Sequence, residues 1–136
     1  MNNSIKVSCT KKNLKLIRDF VTDYLEQLAL SDVLMNQIVL SVDEICANLI
    51  IHANNEDPSK YIYLTITEPK NAVQFEITDN GVAFQSTNYK EPDILEHVRI
   101  GKKGGVGIAL VKRIMDKVEF SSKDGSNACL LYKKIK

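Results

Sequence analysis

The stretch Glu44-Ile-Cys-Ala-Asn-Leu-Ile-Ile-His-Ala53 places three polar side chains at intervals of four residues in an otherwise apolar segment. Residues four apart on a helix lie on the same face, so Glu44, Asn48 and His52 are predicted to form one row. If other elements cover that face, the row requires a ligand, a metal or a hydrogen-bond network, because unpartnered buried polar groups are costly. The plainer alternative is that the row faces water or satisfies backbone groups, and His52 by itself is more typical of a structural histidine.

The helix that carries this row is predicted to begin at the cap Ser31-Asp32 and to end near Ala53. One stripe of apolar residues is predicted to face the core: Ile38, Val42, Ile45, Leu49 and Ala53. Further apolar residues occupy much of the remaining circumference: Leu40, Ala47 and Ile51. We therefore expect this helix to be covered on more than one side.

The flanking segments predict further helices and strands. Helical spacing covers residues 11–29 and 107–117, and strand alternation covers 4–9, 61–67, 73–78, 118–122 and 128–135. The turn at 68–71 predicts an antiparallel hairpin. Residues 83–103 are polar and predict a functional loop with one short helix near 93–98.

Composition limits the class of protein. The chain has 136 residues, a net charge of +1, 44% hydrophobic and 26% charged residues, which describes one soluble domain with a core of its own. The charge balance provides no basic field for nucleic acid, so no direct nucleic-acid partner is expected. The three cysteines are far apart without a C-x-x-C pair, which favours a reducing compartment. No signal peptide or run of about 18 apolar residues is seen, so a cytoplasmic protein without a membrane partner is expected.

Two later motifs add chemistry. Asp79-Asn80-Gly81 follows an apolar strand and by itself is ordinary turn sequence. Residues 101–107 hold four of the six glycines and two lysines directly before a predicted helix, so backbone N–H groups and the helix dipole can form a phosphate cradle. A flexible hinge is the alternative, which the immediate helix start disfavours. No Walker loop is present, and the partial dinucleotide fingerprint at 105–110 does not follow a strand.

In their order along the chain, these motifs resemble the GHKL ATPases and, within them, the small anti-sigma-factor serine protein kinases of bacterial partner-switching systems. The resemblance rests on residues 44–53, 79–81 and 104–110, followed by Met115-Asp116 and Gly125-Ser126. It implies an α+β fold: a two-layer α/β sandwich of the GHKL (Bergerat) type, with helices on one face of a mixed, mainly antiparallel sheet. It covers nearly the whole chain, so one domain over residues 1–136 is expected.

The resemblance also implies roles for individual residues. Glu44 would be the catalytic base that accepts the proton of a serine hydroxyl, and Asn48 would be the Mg²⁺ ligand. Asp79 would accept a hydrogen bond from the adenine amino group of ATP, with Gly81 allowing close approach of the backbone. The remaining nucleotide-binding residues would be His52, Lys102, Lys103, Gly104, Gly105, Val106, Gly107 and Ser126.

The activity implied is Mg·ATP-dependent phosphorylation of a serine on a small antagonist protein by a kinase that otherwise holds a sigma factor. Arg18 would face these partners, and a homodimer is expected. The sequence departs from the family at Ala83 and Gln85, where a second glycine and an acidic residue are common. Two alternatives stay open: an ATP/ADP-responsive binding protein without phosphotransfer, and a plain interaction module whose glycine segment is a hinge.

Overall fold

The computed structural model describes residues 3–79, 105–123 and 126–136. The strands are β1 (Ser4–Ser8), β2 (Tyr61–Thr67), β3 (Ala72–Asp79), β4 (Lys117–Lys123) and β5 (Ser126–Lys134). The α-helices are α1 (Leu14–Leu25), α2 (Asp32–Ala47) and α3 (Gly105–Ile114). Short 3-10 turns flank α1 at Lys11–Asn13 and Glu26–Leu28, and a π-helical turn, Asn48–Ala53, extends α2.

The five strands form one sheet in the order β1-β2-β3-β5-β4, and every described pair is antiparallel. The expectation of a mainly antiparallel sheet is confirmed, including the predicted hairpin of β2 and β3. The parallel pair that a mixed sheet contains is not found among the described strands. The reason is the strand order: β3 and β4 run in the same direction, but β5 lies between them and pairs antiparallel with both.

Burial alternates along the strands, so the core lies on one face of the sheet. In β2 the side chains of Ile62, Leu64 and Ile66 are buried, whereas their neighbours are more exposed. They belong to one core cluster with residues from α1 and α2, such as Ile17 and Val42. Each such side chain contributes about 1.5–3 kcal/mol by leaving water. The expected two-layer α+β sandwich is therefore confirmed.

The helix α2 begins as predicted, since the Ser31 hydroxyl accepts a hydrogen bond from the Leu34 N–H at 3.1 Å. Every residue of its predicted core stripe is buried. Leu40, however, is 40% exposed, so the expectation of an apolar circumference covered on several sides is wrong at this position. The reason is that no described element packs over this part of the outer face of α2.

Two helices differ from the predictions at their boundaries. The segment at 11–29 is predicted as one helix but consists of α1 between two 3-10 turns, ending at Ala29 with a left-handed φ of 56°. The helix predicted at 107–117 is α3, which ends at Ile114 because the chain then joins the sheet, where the Asp116 N–H donates to the Tyr132 carbonyl at 2.9 Å. The Lys133 ammonium donates to the Ile114 carbonyl at 2.8 Å. The predicted loop at 83–103 and the short helix near 93–98 lie outside the described residues.

By length and composition, one helix in the described ranges could cross a membrane, namely the segment Asp32–Ala53. Its apolar stripe is buried in the core of the domain. A core helix of this kind satisfies the same test.

Candidate functional site

The Glu44 side chain, near the C-terminal end of α2, lies directly against the first turn of α3. A Cβ atom built onto Gly107 would collide with the Glu44 carboxylate and would be 2.8 Å from its Cγ. Any side chain at this position would have to displace the Glu44 carboxylate. The structure therefore brings together two residues of different predicted motifs, one from the 44–53 stretch and one from the glycine-rich segment.

Glu44 is half-buried, and its environment favours the protonated form. Burial raises the pKa of the Glu44 carboxyl above its usual range, and the neighbouring charge of Asp43 raises it further. A carboxylate with a raised pKa holds an accepted proton more firmly, which is the property that a general base requires. A perturbed carboxyl beside a glycine-lined helix start marks this position as a candidate functional site.

Asn48 lies one turn after Glu44 and is half-buried. Its Nδ2 donates to the Glu44 carbonyl at 2.9 Å, which fixes the amide plane and leaves Oδ1 as the atom that can bind a cation. Magnesium prefers oxygen ligands and usually takes one or two from the protein, with substrate phosphates and water completing its shell. The side chain thus fits the predicted magnesium ligand without a further protein cage.

Asp79 ends β3 and is only 1% exposed. Two amides hold its carboxylate: Asn54 Nδ2 lies 3.2 Å from Oδ2, and Asn127 Nδ2 lies 3.1 Å from Oδ1 and 3.2 Å from Oδ2. Both amides are themselves buried. Neutral donors stabilise the carboxylate while leaving its negative charge available to a ligand donor, such as the amino group of a base.

Sequence reasoning missed Asn54 and Asn127. The predicted second helix ends near Ala53 and the last predicted strand begins at residue 128, so both asparagines fall just outside a predicted element. In the structure, Asn127 pairs directly with Asp79 across β3 and β5. The position of Asn54 depends on the π-helical turn, because its backbone N–H donates to the Leu49 carbonyl, five residues earlier, at 2.9 Å. Neither the strand register nor the wider turn has a signal in the residue pattern.

Some of the remaining predicted residues lie in the described part of the chain and the others lie outside it. Arg18 lies on α1 and pairs with Asp43, with 3.0 Å between Nη1 and Oδ1, and His52 is exposed in the π-helical turn. Gly105 and Val106 begin α3, and Ser126 begins β5. Four predicted nucleotide-binding residues lie outside the described part of the chain: Gly81, Lys102, Lys103 and Gly104.

As a whole, the described residues fit a magnesium-bound nucleotide. Asn48 offers an amide oxygen, the N-terminus of α3 is a favourable place for an anion, and Asp79 offers a buried acceptor. Asn48 lies in the π-helical turn that extends α2. Asn54, which follows that turn, contacts Asp79.

Comparison with known proteins gives consistent results. Residues 7–133 match the family model described as the histidine kinase-like ATPase domain. The chain is 29% identical over 108 residues to the serine/threonine-protein kinase BtrW of Bordetella bronchiseptica, which covers 76% of each chain. It is 23% identical over 130 residues to an anti-sigma F factor of a Geobacillus species, which covers 96% of this chain and 89% of that relative. A serine-protein kinase RsbW of Bacillus thuringiensis is 28% identical over 90 residues, or 63% of this chain and 56% of the relative.

Solved structures share the fold. The RsbU and RsbW domains of a Mycobacterium tuberculosis protein superpose with a TM-score of 0.63 at 12% identity, covering 98% of this chain and 32% of that one. The SiaB–SiaC complex of Pseudomonas aeruginosa gives a TM-score of 0.59 at 12% identity, covering 96% and 88%. Because the family match spans nearly all of the sequence and the resemblance stated from its motifs agrees with it, this chain belongs to the histidine kinase-like ATPase domain family.

Proposed function

We propose that this protein is an ATP-dependent serine protein kinase and anti-sigma factor of a bacterial partner-switching system. The observation that carries the proposal is the contact of the Glu44 carboxylate with Gly107, one helical turn before the Asn48 amide. This contact supports the proposal because the candidate base Glu44, the candidate cation ligand Asn48 and the start of α3 are neighbours. The relatives named as serine-protein kinases and anti-sigma F factors support the same function.

The reaction proposed is transfer of the γ-phosphoryl group from ATP to a serine of a small antagonist protein. The serine oxygen attacks the γ-phosphorus, its proton passes to the Glu44 carboxylate, and the bond from phosphorus to the β-bridging oxygen breaks, which releases ADP. General-base assistance of this kind contributes about 10²- to 10⁴-fold to the rate. The raised pKa of Glu44 increases its affinity for the proton that it receives.

The other residues bind and orient. Asn48 would hold the magnesium ion, which when bound neutralises phosphate charge. The backbone at the start of α3 would face the phosphates, where the helix dipole favours an anion. Asp79 would accept a hydrogen bond from the adenine amino group, with Asn54 and Asn127 fixing the direction of its carboxylate.

Partner binding is proposed on the surface where α1 meets the catalytic end of α2. Arg18 lies there with its side chain 44% exposed, paired with the residue next to Glu44. We propose that the antagonist protein and the sigma factor compete for this surface, so that phosphorylation of the antagonist changes the outcome of the competition. A cytoplasmic homodimer is part of the proposal.

Replacement of Glu44 by Gln tests the proposal and separates it from a nucleotide-responsive regulator without phosphotransfer. The change keeps the size of the side chain and removes its basicity. We expect phosphorylation of a candidate antagonist from the same genome to fall by about 100-fold or more, while ATP binding persists. The matched control is Glu26→Gln, at an exposed position outside the site, which should leave the rate unchanged. Undiminished phosphorylation by Glu44→Gln would show that Glu44 is not the base.

A further inference from the structure

Asn54 has one buried atom that the fold does not satisfy. The residue is 1% exposed, and its Nδ2 donates to the Leu49 carbonyl at 2.8 Å and to Asp79 at 3.2 Å. Its Oδ1 is also buried, yet it accepts no hydrogen bond within the described part of the chain. Buried acceptors of this kind are rare, because the loss of hydration is not compensated. A donor from outside the described residues is therefore expected at this atom.

The chemistry beside this oxygen identifies the donor. The same amide contacts the Asp79 carboxylate, so two acceptors of different residues lie next to each other in the interior. An exocyclic amino group can satisfy both acceptors, because it donates two hydrogen bonds from one atom. A carbonyl at the same position would face two acceptors and be repelled.

We propose that Asn54 is a second recognition residue for the base: its Oδ1 accepts one N–H of a 6-aminopurine, and Asp79 accepts the other. This inference rests on the proposed function, because it concerns the nucleotide that the kinase would use. It adds to that function a residue that sets the preference for an amino group over a carbonyl or a hydrogen at position 6. Asn54 also positions Asp79, since its Nδ2 is one of the two amides that hold the carboxylate.

The π-helical turn explains why Asn54 reaches this position. Its i to i−5 hydrogen bond inserts one residue more than an α-helical turn, which shifts the following side chain around the helix axis. The Leu49 carbonyl receives both the backbone N–H and the side-chain Nδ2 of Asn54, so the amide is held at two points. Asn48 begins the same turn and Asn54 caps it, so this turn would connect cation binding with base recognition.

The test is a comparison of ATP with purine riboside triphosphate, which carries hydrogen in place of the amino group. Calorimetry on the full chain with Mg²⁺ gives both affinities for the wild type, Asn54→Ala and the control Asn36→Ala, whose amide is exposed on α2. We expect the wild type and control to prefer ATP by on the order of 100-fold, and Asn54→Ala to reduce this preference by about tenfold or more. A preference unchanged within about twofold would overturn the inference, since an amide that neither contacts the amino group nor orients Asp79 weakens both ligands equally.

A second measurement uses the wild type alone and does not depend on the folding of a variant. N6-methyl-ATP retains one amino hydrogen, so it should bind about tenfold or more weakly than ATP if both hydrogens are used. Equal binding would overturn the role of Asn54. If the wild type binds neither ATP nor its analogues, the inference and the proposed kinase fail together. If ATP binds with the expected preference but no serine is phosphorylated, only the kinase fails.

Discussion

At the level of single residues, Gly107 is the most constrained position of the site. A Cβ atom at this position would overlap the Glu44 carboxylate, so a larger residue would have to displace that side chain. The glycine-rich segment was predicted as a phosphate cradle, in which glycine serves the backbone. The structure adds a second reason for glycine at this position: α2 and α3 approach each other across it, and the catalytic candidate fills the space that a side chain would take.

Replacement of Gly107 by Ala tests this contact. The methyl group would displace the Glu44 side chain, so we expect phosphotransfer to fall by about tenfold or more. The free energy of unfolding should change by no more than about 1 kcal/mol, because alanine favours the helix and the displaced carboxylate can move. Phosphorylation of the antagonist and urea unfolding measure the two effects. The control is Ala109→Ser on the exposed face of α3, which should change neither. Full activity of Gly107→Ala would mean that the position of Glu44 at Gly107 does not matter.

The residues of the site were predictable where a side-chain pattern repeats along one helix. Glu44 and Asn48 are recognisable because the helical period places them on one face. Asp79 is recognisable as a carboxylate that ends an apolar strand. Asn54 and Asn127 were not, because their contact with Asp79 depends on a π-helical turn and on strand register. Local periodicity contains no information on either.

Among the elements, α1 and α2 are linked at the edge of the site by an ion pair. Arg18 on α1 contacts Asp43, whose charge also raises the pKa of Glu44. Because both side chains of the pair are partly exposed, it contributes little to stability, on the order of 0–1 kcal/mol. Its position beside the catalytic candidate is the reason to assign it to partner binding rather than to folding.

Arg18→Ala tests that assignment. We expect binding of the antagonist or the sigma factor to weaken by about tenfold or more, because an arginine at a protein interface contributes more than an exposed ion pair. The melting temperature should stay nearly unchanged. Lys15→Ala is the matched control, since Lys15 forms an exposed pair with Asp19 on the same helix at 2.7 Å. Partner affinity lowered equally by both variants, or by neither, would contradict a specific role for Arg18.

The elements themselves were largely predictable, and their ends less so. The bounds of β2 agree with the strand pattern, since alternation of apolar residues and the flanking turn determine them. The α1 segment is predicted as one helix because its apolar spacing continues through the second 3-10 turn to Leu28. A 3-10 turn and an α-helical turn have similar spacing, and tertiary packing selects between them.

The whole molecule buries its three cysteines as free thiols. Burial raises the pKa of Cys129 to about 12, and burial with the charges of Asp79 and Asp57 raises that of Cys9 to about 11. The pKa of Cys46 is also raised, first by burial. The pKa of Tyr24 rises to about 12 through burial and its hydrogen bond to Glu68 at 2.6 Å. All four groups are therefore neutral in the folded protein at pH values where thiols of the unfolded chain ionise.

These shifts predict a loss of stability in alkali. Between the unfolded pKa of a thiol, about 8.5, and its folded value, the folded protein retains a proton that the unfolded chain releases, so stability falls as pH rises. For Cys129 the slope is about 1.4 kcal/mol per pH unit above that unfolded value. Urea unfolding at pH 7, 9 and 10 measures it, and Cys129→Ala should show a smaller decrease. A free energy of unfolding independent of pH up to 10 would contradict this account.

The architecture of the whole molecule was predictable as a class but not in its strand order. Apolar alternation shows which face of each strand is buried, and the hairpin turn shows that β2 and β3 pair. Neither feature shows which strands that are distant in sequence lie next to each other in the sheet. The position of β5 between β3 and β4 removes the expected parallel pair and brings Asn127 to Asp79. The pairing of strands that are far apart in the sequence is therefore what the residue pattern could not predict.

Calorimetric titration with ATP tests the central claim most directly, namely that α2, its π-helical turn and the end of β3 form one magnesium-nucleotide site. With Mg²⁺ the wild type should bind ATP, and EDTA should weaken the binding. Asp79→Asn should abolish binding in both conditions, whereas Asn48→Ala should mainly remove the magnesium dependence. Absence of heat with the wild type at micromolar protein, or equal losses in the two variants, would contradict the account.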